Sequence, residues 1–201
     1  MKAKSGLLAI HLTALILTAG CSLLPKDCEP PKQLACENAD LRGVDLRDAD
    51  LAGANLKNAD LTDVNLTNAN LLGADLTDAN LTGANLTSAN LKSVNLIAAN
   101  LTGTNLRGVN LESADLIDAN LANANLTSAR LGASDFTGAN LINANLTGAD
   151  LDGIYTGAIF TDANLTGANL TGAKIRQASF TGANLTGAVM PDGTIYAQPS
   201  N

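Results

Sequence analysis

From Leu41 to Leu151 a large apolar residue returns at every fifth position, twenty-three times without a slip, and Phe136 is the only departure from leucine. Two places before each stands a small residue. It is alanine in seventeen of the pentads and otherwise Val44, Val64, Val94, Val109, Thr104 or Ser134. One place before the leucine stands asparagine in fourteen, aspartate in eight and Arg130 once. Neither common secondary structure can use this spacing. An α-helix rotates by about 500° over five residues, so the leucines would spiral around its surface. A β-strand would send successive leucines to opposite faces. The chain must instead turn at a regular interval of five, so that every leucine points at a shared axis. Four such sides close a square coil of twenty residues.

Segments of the form Ala-Asn-Leu-Thr-Gly, with the close variant Ala-Asn-Leu-Thr-Ser at residues 84–88, resemble the pentapeptide repeat family over roughly residues 37–197. The resemblance implies an all-β fold, a right-handed quadrilateral β-helix of about seven or eight coils. Its central Leu or Phe and the small residue two places earlier would face inward, the other three positions outward. Residues twenty apart should then stack about 4.8 Å apart on adjacent coils. Stacking puts Lys92 over Glu112 and Arg130 over Asp150, both of opposite charge. It also sets Asp45 against Asn65, Asp50 against Asn70, and Asp75 between Asn55 and Asn95. Amides can hydrogen-bond along such a ladder, whereas stacked carboxylates repel. Asp40 over Asp60 and Asp115 over Asp135 break that rule.

One irregularity falls at residues 152–159, where Leu151 is followed by Phe160 after nine positions instead of ten. Pentads then resume through Leu165, Leu170, Ile175, Phe180 and Leu185 and decay through Met190 and Ile195. If the short pair still fills two sides, Phe160 and Phe180 share a column. The irregularity is either a tolerated bulge or a recognition bump around Tyr155. Because each coil of a solenoid contacts only its neighbours, both ends need covers. Residues 28–38 are expected to cap the start, and residues 190–201, with Pro191, Tyr196 and Pro199, the finish.

The beginning of the chain has a different character. Lys2 and Lys4 precede an apolar run from Leu7 to Leu17, interrupted only by His11 and Thr13. The run is too short to span a bilayer, which takes about 20 apolar residues. With small Ala19 and Gly20 ahead of Cys21, it has the form of a secretory signal peptide over residues 1–20. Leu17-Thr18-Ala19-Gly20-Cys21 resembles a bacterial lipobox, although Thr18 stands where leucine is usual. That resemblance implies an acylated Cys21 as the first mature residue and a membrane anchor on the non-cytoplasmic side. With Ser22 next, it implies the outer membrane facing the periplasm if the cell is Gram-negative. Residues 21–36, with Pro25, Pro30 and Pro31, read as a tether and N-terminal cap, and residues 198–201 as a tail. Cys28 and Cys36 are eight positions apart. They either form a disulfide in an oxidising compartment, or Cys36 fills the first inward slot as a small apolar residue.

Composition narrows the chemistry. His11 is the only histidine, so a chain cut before Cys21 has no imidazole for Ser-His-Asp or Cys-His catalysis or for a metal. No calcium-binding glycine repeat or EF-hand loop is present. The nine Asn-Leu-Thr matches to a glycosylation acceptor follow automatically from the repeat. A leucine-filled axis leaves no convergent pocket, so no catalytic residue, metal, cofactor or small-molecule substrate is expected. The formal charge is −7, and losing Lys2 and Lys4 leaves ten basic and nineteen acidic residues, a formal −9. That balance disfavours direct nucleic-acid binding, which requires basic surface. The expected role is a protein-interaction scaffold with an unidentified protein partner, or an envelope spacer. Leu72, Ile97, Ile117 and Ile142 fall on outward positions, and Ile97 lies directly below Ile117 as a candidate contact. Some pentapeptide repeat proteins are acidic rods that resemble B-form DNA and bind DNA gyrase. The acidic charge fits that alternative, but the signal peptide points away from the cytoplasm where gyrase works. Residues 186–201 are also too short and proline-broken for the C-terminal apolar helix through which such relatives dimerise.

Overall fold

In a computed structural model the described residues are 36–197, so the expectations for the signal peptide, Cys21, Cys28, the tether and the tail lie outside them. The described chain winds as a right-handed quadrilateral β-helix. Each pentad contributes one bridge residue, and parallel bridges join residues twenty apart from Asp40–Asp60 through Arg130–Asp150. The column Asp40, Asp60, Asn80, Asn100, Asn120, Asn140, Ile159 and Ser179 marks the successive rungs. Four faces result. We number them from the inward columns, the first through Leu56, Leu76, Leu96, Leu116 and Phe136, the second through Leu61, Leu81 and Leu101, the third through Leu66, Leu86 and Leu106, and the fourth through Leu71, Leu91 and Leu111.

Every backbone N–H of a regular pentad with Asn or Asp before its leucine has a defined acceptor, which explains why five residues suffice for one side. Around Leu81, the Leu81 N–H donates to the Asn100 carbonyl at 2.7 Å and the Gly83 N–H to Thr102 at 3.0 Å on the coil above. The Asn85 N–H donates to Val64 at 2.9 Å on the coil below. The Ala84 N–H closes the corner on the Leu81 carbonyl at 3.0 Å. The Thr82 N–H points outward and takes the side-chain oxygen of Asn80, at 3.2 Å. Only Asn or Asp one place before the leucine supplies an acceptor at that distance, as in an Asx-turn. The corner has the signature of a type II turn, with positive φ at its third residue alone. That position recurs in steps of five from Asn38 to Gly148 and holds Gly, Asn, Asp or Ser almost throughout. Gly, Asn and Asp are the residues that enter the left-handed region most readily.

The inward leucines and their small partners are buried almost without exception from Cys36 to Leu170. Cys36 occupies the central slot of the first side. The two polar residues among the small ones are satisfied inside: the Thr104 hydroxyl donates to the Leu81 carbonyl at 2.8 Å, and that of Ser134 to Leu131.

The irregular stretch is one side shortened to four residues. Tyr155 takes the central slot four positions after Leu151, Gly153 the small slot and Ile154 the bridge slot, leaving Asp152 alone to turn the corner. Bridges therefore step by nineteen through this coil, from Asp135–Ile154 to Asp150–Asn169, and return to twenty at Ile154–Lys174. Glycine is required at 153 by close approach, since a Cβ there would stand 2.8 Å from the Ser134 carbonyl oxygen. The extra volume of Tyr155 is taken up by aromatic packing. Its ring stacks on Phe136 at 5.1 Å between centroids and is tilted against Phe160 at 5.7 Å. Phe160 stacks on Phe180 at 4.8 Å, as the shared column requires. The expected recognition bump is corrected by this packing: Tyr155 is fully buried and presents nothing to solvent.

The repeat loosens towards its end. Ile154, Ile159, Lys174 and Ser179 fill bridge slots where Asn or Asp would cap the outward N–H, and Val189 stands two places before Pro191, which has no N–H to cap. Ile175, Phe180 and Leu185 are only half-buried, because no further coil covers them. Residues 190–196 fold back as a hairpin, with Tyr196 N–H donating to Ala188 at 2.7 Å and Gly187 N–H to Tyr196 at 3.2 Å. They cover one corner, and Ile195 remains 71% exposed. A nearest-neighbour solenoid then predicts unequal substitutions. Leu96→Ala should cost about 2–5 kcal/mol in urea unfolding, and Leu185→Ala only about 1–2 kcal/mol. Equal losses would contradict an interior that weakens towards the C-terminus.

Candidate partner-binding surface

With the axis filled, chemistry is confined to the outer faces. Side chains two apart on one side point outward together, and their pairing follows a fixed geometry. Thr82 donates its hydroxyl to Asn80 at 2.7 Å on its own coil. The amide of Asn100 on the next coil reaches Thr82 diagonally at 3.0 Å. Ion pairs use the same diagonal, eighteen positions apart: Arg42 with Asp60 at 3.6 Å, Lys57 with Asp75 at 3.1 Å and Arg130 with Glu112. The expected vertical pair of Lys92 with Glu112 is present at 3.6 Å. The expected pair of Arg130 with Asp150 is not. The two residues do stack, but the guanidinium turns down to Glu112, which already holds Lys92. The diagonal is the shorter reach for a side chain in a bridge slot, a distinction that spacing by twenties does not reveal.

The like-charged stack of Asp40 on Asp60 carries its own counter-ion. Arg42 donates two hydrogen bonds to Asp40, at 2.8 and 2.7 Å, while standing below Asp60. Those bonds hold the Asp40 carboxyl at about 2, below its ordinary 3.8, and push the Arg42 guanidinium up. Arg47 lowers Asp45 in the same way. At Tyr155 burial raises the phenol, so it stays protonated.

Ile97 and Ile117 stack one above the other on the first face, as expected, but each is half-buried rather than fully exposed. Their N–H groups donate to Asn95 at 3.1 Å and Asp115 at 3.2 Å. Leu72, on the fourth face, is 43% exposed, and Ile142 is half-buried on the second. Ile159, missed in the sequence, is 38% exposed and takes the diagonal place above Ile142. The signal for it was the one-residue shift after Leu151, which moves Ile159 onto an outward slot. Among the described residues no group of three or more His, Cys, Asp or Glu could hold a metal ion. Among them, too, no helix is long and apolar enough to cross a membrane.

A leucine-cored square solenoid with polar ladders on four sides defines a class of repeat scaffold. The chain belongs to the pentapeptide repeat family: the model for pentapeptide repeats matches 8 copies, over residues 35–68, 59–96, 94–132, 119–154 and 156–190. The break between the last two matches falls at the shortened side. No curated protein sequence matches the chain. Among solved structures it is similar to HetL, a pentapeptide repeat protein involved in heterocyst differentiation regulation from the cyanobacterium Nostoc sp. strain PCC 7120. The two are 30% identical over 96% of this chain and 99% of that one, at a TM-score of 0.38. It is similar to QnrB1, a plasmid-mediated fluoroquinolone resistance protein, at 21% identity, 76% and 81% coverage and a TM-score of 0.39. A pentapeptide repeat protein from the Arabidopsis thaliana thylakoid lumen is 31% identical, over 62% of this chain and 70% of that one, with a TM-score of 0.26.

The Arg42 clamp sets a pH prediction. A carboxyl whose folded-state pKa is depressed contributes stability above its ordinary value and loses it as pH falls towards about 2. The pair is exposed, so the effect on unfolding is small, and NMR titration is the sharper probe. Arg42→Gln should return Asp40 from about 2 towards 3.8; an unmoved titration would show that the guanidinium is not the cause.

Proposed function

We propose that this protein is a non-enzymatic lipoprotein of the cell envelope, a rigid β-helical rod that serves as a protein-interaction scaffold. The observation that carries the reading is the unbroken inward column from Leu41 to Leu170, which fills the interior and leaves only flat outer faces for recognition. Acyl chains on Cys21 would supply the membrane anchor, and residues 22–35 would set the rod off the bilayer. Cys36 is disulfide-bonded, and this supports an oxidising compartment. We assign Cys28 as its partner, a pairing that would pin the tether to the first coil. Ile97 and Ile117 supply the partner contact in this reading. The gyrase-binding alternative has only the acidic charge in its favour.

Expression in a Gram-negative host tests both halves at once. Mass spectrometry should find a mature chain beginning at a diacyl- or triacyl-modified Cys21, whereas an intact Met1 would overturn the envelope assignment. Capture from envelope fractions should recover a partner with the wild type and lose it with Ile97→Asp/Ile117→Asp. Equal recovery of every partner would dismiss the contact.

A further inference from the structure

We infer that the middle of the first face docks a segment of a partner protein carrying an arginine beside aliphatic residues. The guanidinium seats on Asp115 and Asp135, and the aliphatic groups cover Ile97 and Ile117. The inference rests on the scaffold reading and adds the chemistry of the partner.

The argument is a comparison of two equivalent slots. Aspartate stacks on aspartate in two places among the described residues, Asp40 on Asp60 and Asp115 on Asp135. In the first stack, the outward residue two places after the lower aspartate is Arg42, which reaches both carboxylates, at 2.7 and 3.6 Å. In the second stack the same slot holds Ile117. Its backbone is capped as Arg42's is, by the lower aspartate: Ile117 N–H to Asp115 at 3.2 Å, Arg42 N–H to Asp40 at 3.3 Å. The counter-ion is therefore replaced by an apolar side chain, and the carboxylates remain one rung apart. No Lys or Arg lies on the first face between Lys57 and Lys174, and among the described residues Asp115, Asp118 and Asp135 take part in no ion pair. Asp118 adds a further carboxylate beside Ile117, its side chain rising into the space below Gly138.

Asparagine fills this bridge slot in most pentads and avoids the repulsion. Keeping two aspartates here while removing the internal cation produces a patch complementary to an external one. Ile97, one coil below Ile117, extends the patch with apolar surface in the column of the missing arginine. Arginine fits better than lysine because its planar fork can bond one carboxylate with two N–H groups while pairing with the next, as Arg42 does with Asp40 and Asp60.

The test is fluorescence anisotropy on the purified full chain, with a labelled peptide of alternating arginine and leucine. Peptides alternating glutamate with leucine and arginine with serine serve as comparisons. Asp115→Asn/Asp135→Asn and Ile97→Thr/Ile117→Thr place in these slots residues that the repeat uses elsewhere, so the fold is retained. Asp63→Asn/Asp162→Asn removes the same charge from the second face. The Arg-Leu peptide should bind the wild type more tightly than either comparison peptide does. Both first-face variants should weaken it by about tenfold, and the second-face control by no more than about twofold. Ile117→Arg, which restores the internal counter-ion, should also abolish binding. Equal loss in the second-face control would reduce the effect to diffuse charge and overturn the proposal. So would absence of peptide binding. If envelope capture still depends on Ile97 and Ile117 in that case, the scaffold contact stands and only its arginine chemistry fails.

Discussion

The structure depends on one hydrogen bond repeated around the coil, from the outward backbone N–H after each leucine to the side-chain oxygen of the residue before it. Three of the five N–H groups in a pentad are taken by neighbouring coils and one closes the corner. The fifth has no backbone partner, and Asn or Asp supplies one. With that donor satisfied, every side can be reduced to a single bridge residue and a tight corner, and the leucines come close enough to fill the axis. The same side chain then works outward, accepting the threonine hydroxyl and donating along the ladder. The cap is missing at Arg130, where the coil continues in register, and at Ile154, Ile159, Lys174 and Ser179, in and after the shortened side.

Much of this was legible in the sequence, because a period of five is compatible with neither helix nor strand and leaves a cornered coil as the solution. The shared column of Phe160 and Phe180 followed from counting alone. The place of Tyr155 did not, because nine positions between Leu151 and Phe160 can be divided as a loop or as four and five. The deciding clue was the small-to-large pattern of Gly153 and Tyr155, which reproduces the inward pair once the corner is cut to Asp152. Surface electrostatics were less legible. Spacing by twenty identifies which residues stack, but long side chains lean to the diagonal neighbour, so Arg130 leaves Asp150 for Glu112. The half-burial of Ile97 and Ile117 was hidden for a related reason: outward side chains on so flat a face shield one another.

Recognition on such a rod has few variables. The ladder positions are largely committed to capping, and the corners to left-handed backbone. What varies is the residue following each leucine, which is most often threonine and elsewhere a charged or aliphatic residue, among them Arg42, Lys57, Leu72, Arg107, Glu112 and Ile117. A face is thus written mainly at that slot, and the first and second stacked aspartate pairs differ in counter-ion because the slot beside them holds Arg42 in one and Ile117 in the other.

Native-state hydrogen exchange resolved by residue tests the central claim most directly. The account predicts strong protection of the inter-coil N–H groups from residues 60 to 150 and intermediate protection of the side-chain-capped N–H of Thr82, Thr87 and Thr102. It predicts rapid exchange at Thr156, Thr161, Arg176 and Thr181, which follow uncapped bridge residues. Uniform protection of the outward N–H groups, capped and uncapped alike, would contradict it.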